Sequence, residues 1–130
     1  MRDEQKSGNA RRAYSEAEAV ALVSQVDGHC PLCDAALFNK KNSRTFKVYE
    51  LAHIYPLNPS PAEIAELAAS PRLHEDVNDP DNIIPLCPRC HEIFDKPRTA
   101  KEYAELYQVK QLALEAERQR ALANQYPLED

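Results

Sequence analysis

The chain has 130 residues, is 43% hydrophobic with no Trp, and carries a net charge of −5. That length suits one domain with a modest core, the size class in which a bound metal often completes stability. The acidic balance excludes global steering toward nucleic acid, so any basic surface must be local: residues 1–58 hold eight Lys/Arg against seven Asp/Glu, and residues 59–130 hold eight against fourteen.

In chain order, residues 1–13 read as a mobile basic arm carrying Arg2, Lys6, Arg11 and Arg12. Ser15 and Glu18 form a capping box for a helix over about 16–26, expected to bury Val20 and Val23, with Ala17 and Leu22 beside them. Asp27-Gly28 ends it, and "CPLC" follows at 30–33. "NKKNSR" reads as a turn, and "TFKVYELAHI" (45–54) as one strand, ended by Pro56, Pro59 and Pro61. Ser60 to Glu63 is a second capping box, for a helix over 61–69 burying Ile64 and Leu67. "SPRLHEDVNDPD" is a loop, and "NIIPL" (82–86) a short strand. A helix is expected from Pro88 or Arg89 to Asp95. A third capping box, Thr99 to Glu102, opens a long helix to about 124. Its ragged stripe of Tyr103, Leu106, Tyr107, Ala113, Leu114 and Ala121 fits packing on its own domain, or on a partner or second copy. These elements divide the chain into the arm 1–13, a central domain 14–98 and a C-terminal helix 99–130.

No apolar run reaches membrane-spanning length, and the first residues lack the apolar centre of a signal peptide. A cytoplasmic protein is the expectation, and there four Cys point to a metal rather than to disulfides. Cys30, Cys33, Cys87 and Cys90 form two Cys-x-x-Cys pairs with 53 residues between them. Four thiolates suit a closed tetrahedral zinc site that scaffolds without doing chemistry. A thiol–disulfide redox motif is the competing reading, but the chain lacks the βαβ context such a motif occupies.

His29 and His74 read as structural or exposed. His91 and Asp95 stand at i, i+4 and share one helical face. That spacing serves two ligands of one divalent ion, and equally a local hydrogen bond.

The ordered set, Cys-x-x-Cys, then His53 in "AHIYP", then Asn82, then Leu86-Cys87-x-x-Cys90-His91, resembles the HNH endonucleases, in particular their four-Cys, zinc-stabilised branch. The ending "HEIFD" is similar to a subgroup with a His-x-x-Phe-Asp motif, and the resemblance covers residues 28–96. It implies an α+β protein with a small ββα-metal (His-Me finger) core and a four-Cys structural zinc, flanked by N- and C-terminal helices. It assigns His53 as general base and His91 as metal ligand, with Asp95 at the place of a second helical ligand found in bacteriocin DNases. Asn82 would brace the loop that aims His53 or lend its amide oxygen to the metal shell. The catalytic ion would be Mg²⁺ or Mn²⁺, with Zn²⁺ or Ni²⁺ as other occupants. DNA would be the substrate, its phosphates meeting Lys40, Lys41, Arg44 and Lys47 if that turn is not merely a solvated one. Small HNH proteins of this kind resemble parts of restriction or anti-phage systems governed by an ATPase or sensor protein.

Two departures stand out. Ala52 occupies the place that usually supplies a metal-binding acid, and Asp95, Asn82, Glu50 or an acid in the 75–81 loop is the candidate replacement. Strand alternation argues against Glu50, on the face opposite His53. The 29-position stretch from His53 to Asn82 also carries an insert at 57–81.

Overall fold

The computed structural model describes residues 9–125, so Arg2 and Lys6 of the basic arm lie outside it. Helix α1 (Glu16–Gln25) starts on the expected capping box, with Ser15 accepting from the Glu18 amide and Glu18 reaching back. It buries Leu22 and Val23 but leaves Val20 57% exposed. At 100° per residue, an inward face centred on 19, 22, 23 and 26 places position 20 beyond its edge. Asp27 and Gly28 then take positive φ (55° and 75°), and the Gly28 amide donates back to the Val23 carbonyl.

The single strand expected over 45–54 is two strands serving two sheets. Strands β1 (Phe38–Lys41) and β2 (Arg44–Lys47) form an antiparallel hairpin. Its turn is Asn42-Ser43, both at positive φ (53° and 66°), the two-residue geometry that matches strand twist. The chain changes partner at Val48-Tyr49. Strand β3 (Glu50–His53) then pairs antiparallel with β4 (Ile83–Leu86), His53 opposite Ile83 and Ala52 opposite Ile84. Both residues of each of these pairs are buried. Pro85 fits because β4 has a partner on one edge only.

Helix α2 (Pro61–Glu66) is shorter than expected, and Ile64 is 51% exposed. Leu67 is buried as expected, but Glu63 turns inward in place of Ile64, because its carboxylate pairs with the buried Arg98 rather than closing a capping box. A 3-10 turn, Pro80–Asn82, leads into β4. Helix α3 (Pro88–Phe94) follows, with Pro88 in its first turn. Strands β3 and β4 with α3 make the ββα unit.

Helix α4 (Ala100–Gln125) opens on the expected Thr99–Glu102 box. Its first half closes the core, where Tyr103 and Leu106 join Leu37, Ala52, Ile54, Ile84, Leu86 and Phe94. Lys110 is buried, its ammonium donating to the Ile83 carbonyl and to Gln25 Oε1, both at 2.6 Å. The helix then outruns the domain, so Ala121 at the end of the expected stripe is exposed. No helix among the described residues is long and apolar enough to cross a membrane.

Candidate active site

The two Cys-x-x-Cys knuckles meet. All four Sγ atoms lie within 4.8 Å of one another, and those of Cys33 and Cys87 are 3.6 Å apart. Zinc–thiolate bonds of about 2.3 Å give a tetrahedral edge of about 3.8 Å, so the cluster fits one zinc ion. The first knuckle is closed by the Cys30 amide on the Ala35 carbonyl and the Asp34 amide on the Cys30 carbonyl. The second opens α3, where Cys87 is the N-cap residue and its sulfur accepts from the Cys90 amide. A metal held there would tie the segment after α1 to the helix that carries His91.

On α3, one turn past the thiols, the His91 ring lies between two carboxylates. Its Nε2 is 3.1 Å from Asp95 Oδ2, and its Nδ1 is 2.7 Å from Glu50 Oε1. Asp95 first, and Glu50 after it, hold the imidazole pKa above its ordinary value against burial. Burial pushes the Asp95 carboxyl up, but the His91 contact and Arg98 outweigh it and hold it below the usual range. Two ligands about 2.1 Å from an octahedral ion stand about 3 Å apart. The His91 Nε2–Asp95 Oδ2 pair matches that edge and can hold a divalent ion.

His53 ends β3 and lines the same pocket, about 210 Å³, as His91 and Asp95. Arg11, Asn58, Glu63 and Arg98 complete its polar wall. Burial lowers the His53 pKa and a contact with Asn78 partly offsets it, so the uncharged ring is favoured. Its Nε2 is 2.9 Å from Asn78 Oδ1, so a side chain of the insert meets the ring.

Asn82 is fully buried and does not line the pocket. Its Oδ1 accepts from the Tyr55 amide, and its Nδ2 donates to the carbonyls of Tyr55 and Val77, each at 2.9 Å. With the oxygen so engaged, the geometry is that of a brace across the His53 loop, not of a metal ligand. Glu50 also stays off the pocket wall, as alternation requires, yet it reaches His91 from behind. Lys40, Lys41, Arg44 and Lys47 are exposed on the hairpin, outside the pocket. Lys47 Nζ sits 5.1 Å over the Tyr49 ring, and the pairing of Lys41 with Arg44 puts those two on the face away from Lys47.

Sequence reasoning missed Arg98, the hub of the site. It is 6% exposed. Its Nη1 donates to the carbonyls of His53 (2.8 Å) and Ile54 (3.1 Å), and its Nη2 to Asp95 Oδ1 (2.5 Å). Its Nε is 3.3 Å from Glu63 Oε2 but off line for a hydrogen bond. One guanidinium thus joins the end of β3, the helix α3 carboxylate and the insert. Nothing in "KPRT" marks it as more than a linker cation.

The part of the arm that is described makes contacts with the insert. Asn9 exchanges hydrogen bonds with Asn58 and donates to the Leu57 carbonyl, while Ala10 and Arg12 bond to Asn78. These contacts bring Arg11 to the pocket.

Among curated proteins none matches the chain. The family model described as HNH endonuclease matches residues 30–100, more than half of the chain, from the first zinc-site thiol to the start of α4. A four-thiol cluster, a ββα unit and this match agree: the chain belongs to the HNH endonuclease family.

Proposed function

We propose that the protein is a metal-dependent endonuclease hydrolysing DNA phosphodiester bonds, with His53 as general base and His91 and Asp95 as ligands of the catalytic ion. The observation that carries this reading is convergence: a buried imidazole, whose burial favours the uncharged form, and an imidazole–carboxylate pair face one small polar pocket. A bound divalent ion supplies charge to the phosphoryl and leaving oxygens. His53 takes the proton of the attacking water as the new P–O bond forms and the bond to the leaving oxygen breaks. Asn82 holds the loop that follows His53, and Arg98 fixes the strand end and Asp95 together. Mg²⁺ or Mn²⁺ suits a shell of one imidazole, one carboxylate and water. Lys41 and Arg44, with Lys40 and Lys47, contact phosphates without reading bases. The resemblance to small HNH proteins supports a role in a restriction or anti-phage system whose cutting an ATPase or sensor protein controls, and we infer that the protein acts in the cytoplasm.

The test is supercoiled plasmid incubated with Mg²⁺ or Mn²⁺, with and without EDTA. The expected result is metal-dependent nicking that His53→Ala abolishes at unchanged zinc content. Equal nicking by His53→Ala in a clean preparation contradicts the assignment. One observation favours a second reading, a non-catalytic zinc module binding DNA or protein: Ala52 is fully buried where the family carries an acid, leaving two protein ligands. Plasmid binding with no nicking under any divalent ion selects that module.

A further inference from the structure

Asn78 is a loop residue of the insert, outside every motif by which the chain resembles its family. Its side-chain amide nevertheless sits between His53 and the N-terminal arm. Nδ2 donates to the Ala10 carbonyl at 2.8 Å, and Oδ1 lies 2.9 Å from His53 Nε2 and 3.4 Å from the Arg12 amide, which donates to it. The reversed amide would set oxygen against the Ala10 carbonyl oxygen and NH₂ against the Arg12 N–H. Only the first orientation satisfies all three neighbours. The residue itself is held: its amide donates to Asp76 Oδ1, and its carbonyl accepts from Tyr14 Oη at 2.6 Å and from Arg12 Nη1 at 3.4 Å. One residue earlier, the Val77 carbonyl is bound by Asn82.

An amide oxygen only accepts, so the hydrogen between Asn78 and His53 resides on Nε2. A neutral imidazole has one N–H. Nδ1 therefore carries the lone pair, and among the described residues it makes no hydrogen bond. We propose that Asn78 is the positioning residue of His53, holding its proton on Nε2 so that Nδ1 is the nitrogen that accepts the proton of the attacking water, and that Ala10 and Arg12 of the arm belong to this device by fixing the Asn78 amide. The inference rests on the endonuclease reading and assigns the atom that performs its proton transfer. The same oxygen accepts from the ring before and after Nδ1 is protonated, so nothing reorganises during the step. A carboxylate in that place, as behind the histidine of a serine-protease triad, holds the ring in the same manner but stabilises the charged form. An uncharged amide keeps the tautomer while leaving the ring neutral and ready.

The test is ¹⁵N-histidine NMR of the full-length zinc-loaded protein near pH 7.5, with cleavage rates at saturating plasmid and Mn²⁺. Wild type is expected to show His53 with hydrogen on Nε2. Asn78→Asp and Asn78→Ala both lose the donor to Ala10, but only Asn78→Ala loses the acceptor. Asn78→Asp is therefore expected to keep the Nε2–H form and Asn78→Ala to give a mixture. Asn78→Ala is also expected to lose on the order of 10- to 100-fold in kcat, the range for an outer partner that orients an imidazole, with KM nearly unchanged. Hydrogen on Nδ1 in wild type, or identical tautomers and rates in wild type and Asn78→Ala, overturns the proposal. The NMR arm needs no cleavage: an Nε2–H ring in a wild-type protein that never cuts DNA upholds the geometry and removes the nuclease reading.

Discussion

Glu50 Oε1 lies 2.7 Å from His91 Nδ1, on the side of the ring away from the pocket. A metal-binding imidazole with a carboxylate behind its other nitrogen is more basic and fixed in orientation. Glu50→Ala is therefore expected to weaken Mn²⁺ binding about 10-fold or more, in the range seen for such outer partners. Calorimetric titration measures it, and unchanged zinc content and circular dichroism keep the effect local. Unaltered Mn²⁺ affinity means that Glu50 is only a surface neighbour.

Proton competition gives a second expectation. Asp95 and Glu50 hold His91 protonated to higher pH than an ordinary imidazole. A metal must displace that proton, so apparent Mn²⁺ affinity falls as pH drops through the raised His91 pKa. Burial moves His53 the other way. At saturating Mn²⁺ the acid limb of the rate then reports His53 alone, and it belongs below about 6.5, the unperturbed histidine value. At limiting Mn²⁺ the limb moves to higher pH. A single limb above that value, unmoved by metal concentration, contradicts both assignments.

Arg98 carries a stability prediction. Removing the guanidinium leaves the nearly buried Glu63 carboxylate uncompensated and two carbonyls without their donor. Breaking a buried pair from one side costs about 3–5 kcal/mol. Arg98→Met is expected to lower Tm by on the order of 10 °C in thermal melts of zinc-loaded protein. A shift of only a degree or two means that the hub is dispensable.

The zinc cluster should behave differently from the pocket. Cys87 is both a thiol of the cluster and the N-cap of α3, and zinc binding of this kind is itself folding free energy. Cys87→Ser is expected to lose zinc and the cooperative melt together, whereas His91→Ala keeps both and loses the second ion. Metal analysis with calorimetry separates the two, and a cooperatively folded, zinc-free Cys87→Ser would remove the scaffold role.

Legibility in the sequence followed sequence distance. Local signals read well. The capping boxes at Ser15 and Thr99 and the Cys-x-x-Cys knuckles sit within a few residues, and their geometry follows from spacing. What failed depended on partners far along the chain. The 45–54 segment has strand composition throughout, but nothing local says that it changes partner at Val48-Tyr49. Ile64 was expected inside on composition, and the inward place went to Glu63 because Arg98 awaits it 35 positions later. Alternation along β3 puts Glu50 opposite His53 and so argues against it as a site residue. The inference holds for the strand and misses that the His91 ring has two nitrogens facing opposite ways. Asn78 lies in "VNDPD", where an Asn is well explained as a turn residue, and only the folded arm reveals its second task.

The most direct test of the central claim is anomalous diffraction from crystals soaked in Mn²⁺. The account predicts two separate metals: zinc among the four thiols, and manganese at His91 Nε2 and an Asp95 carboxylate oxygen, facing His53 across the pocket. Manganese that binds elsewhere, or a His91–Asp95 pair that stays empty under saturating Mn²⁺, contradicts it.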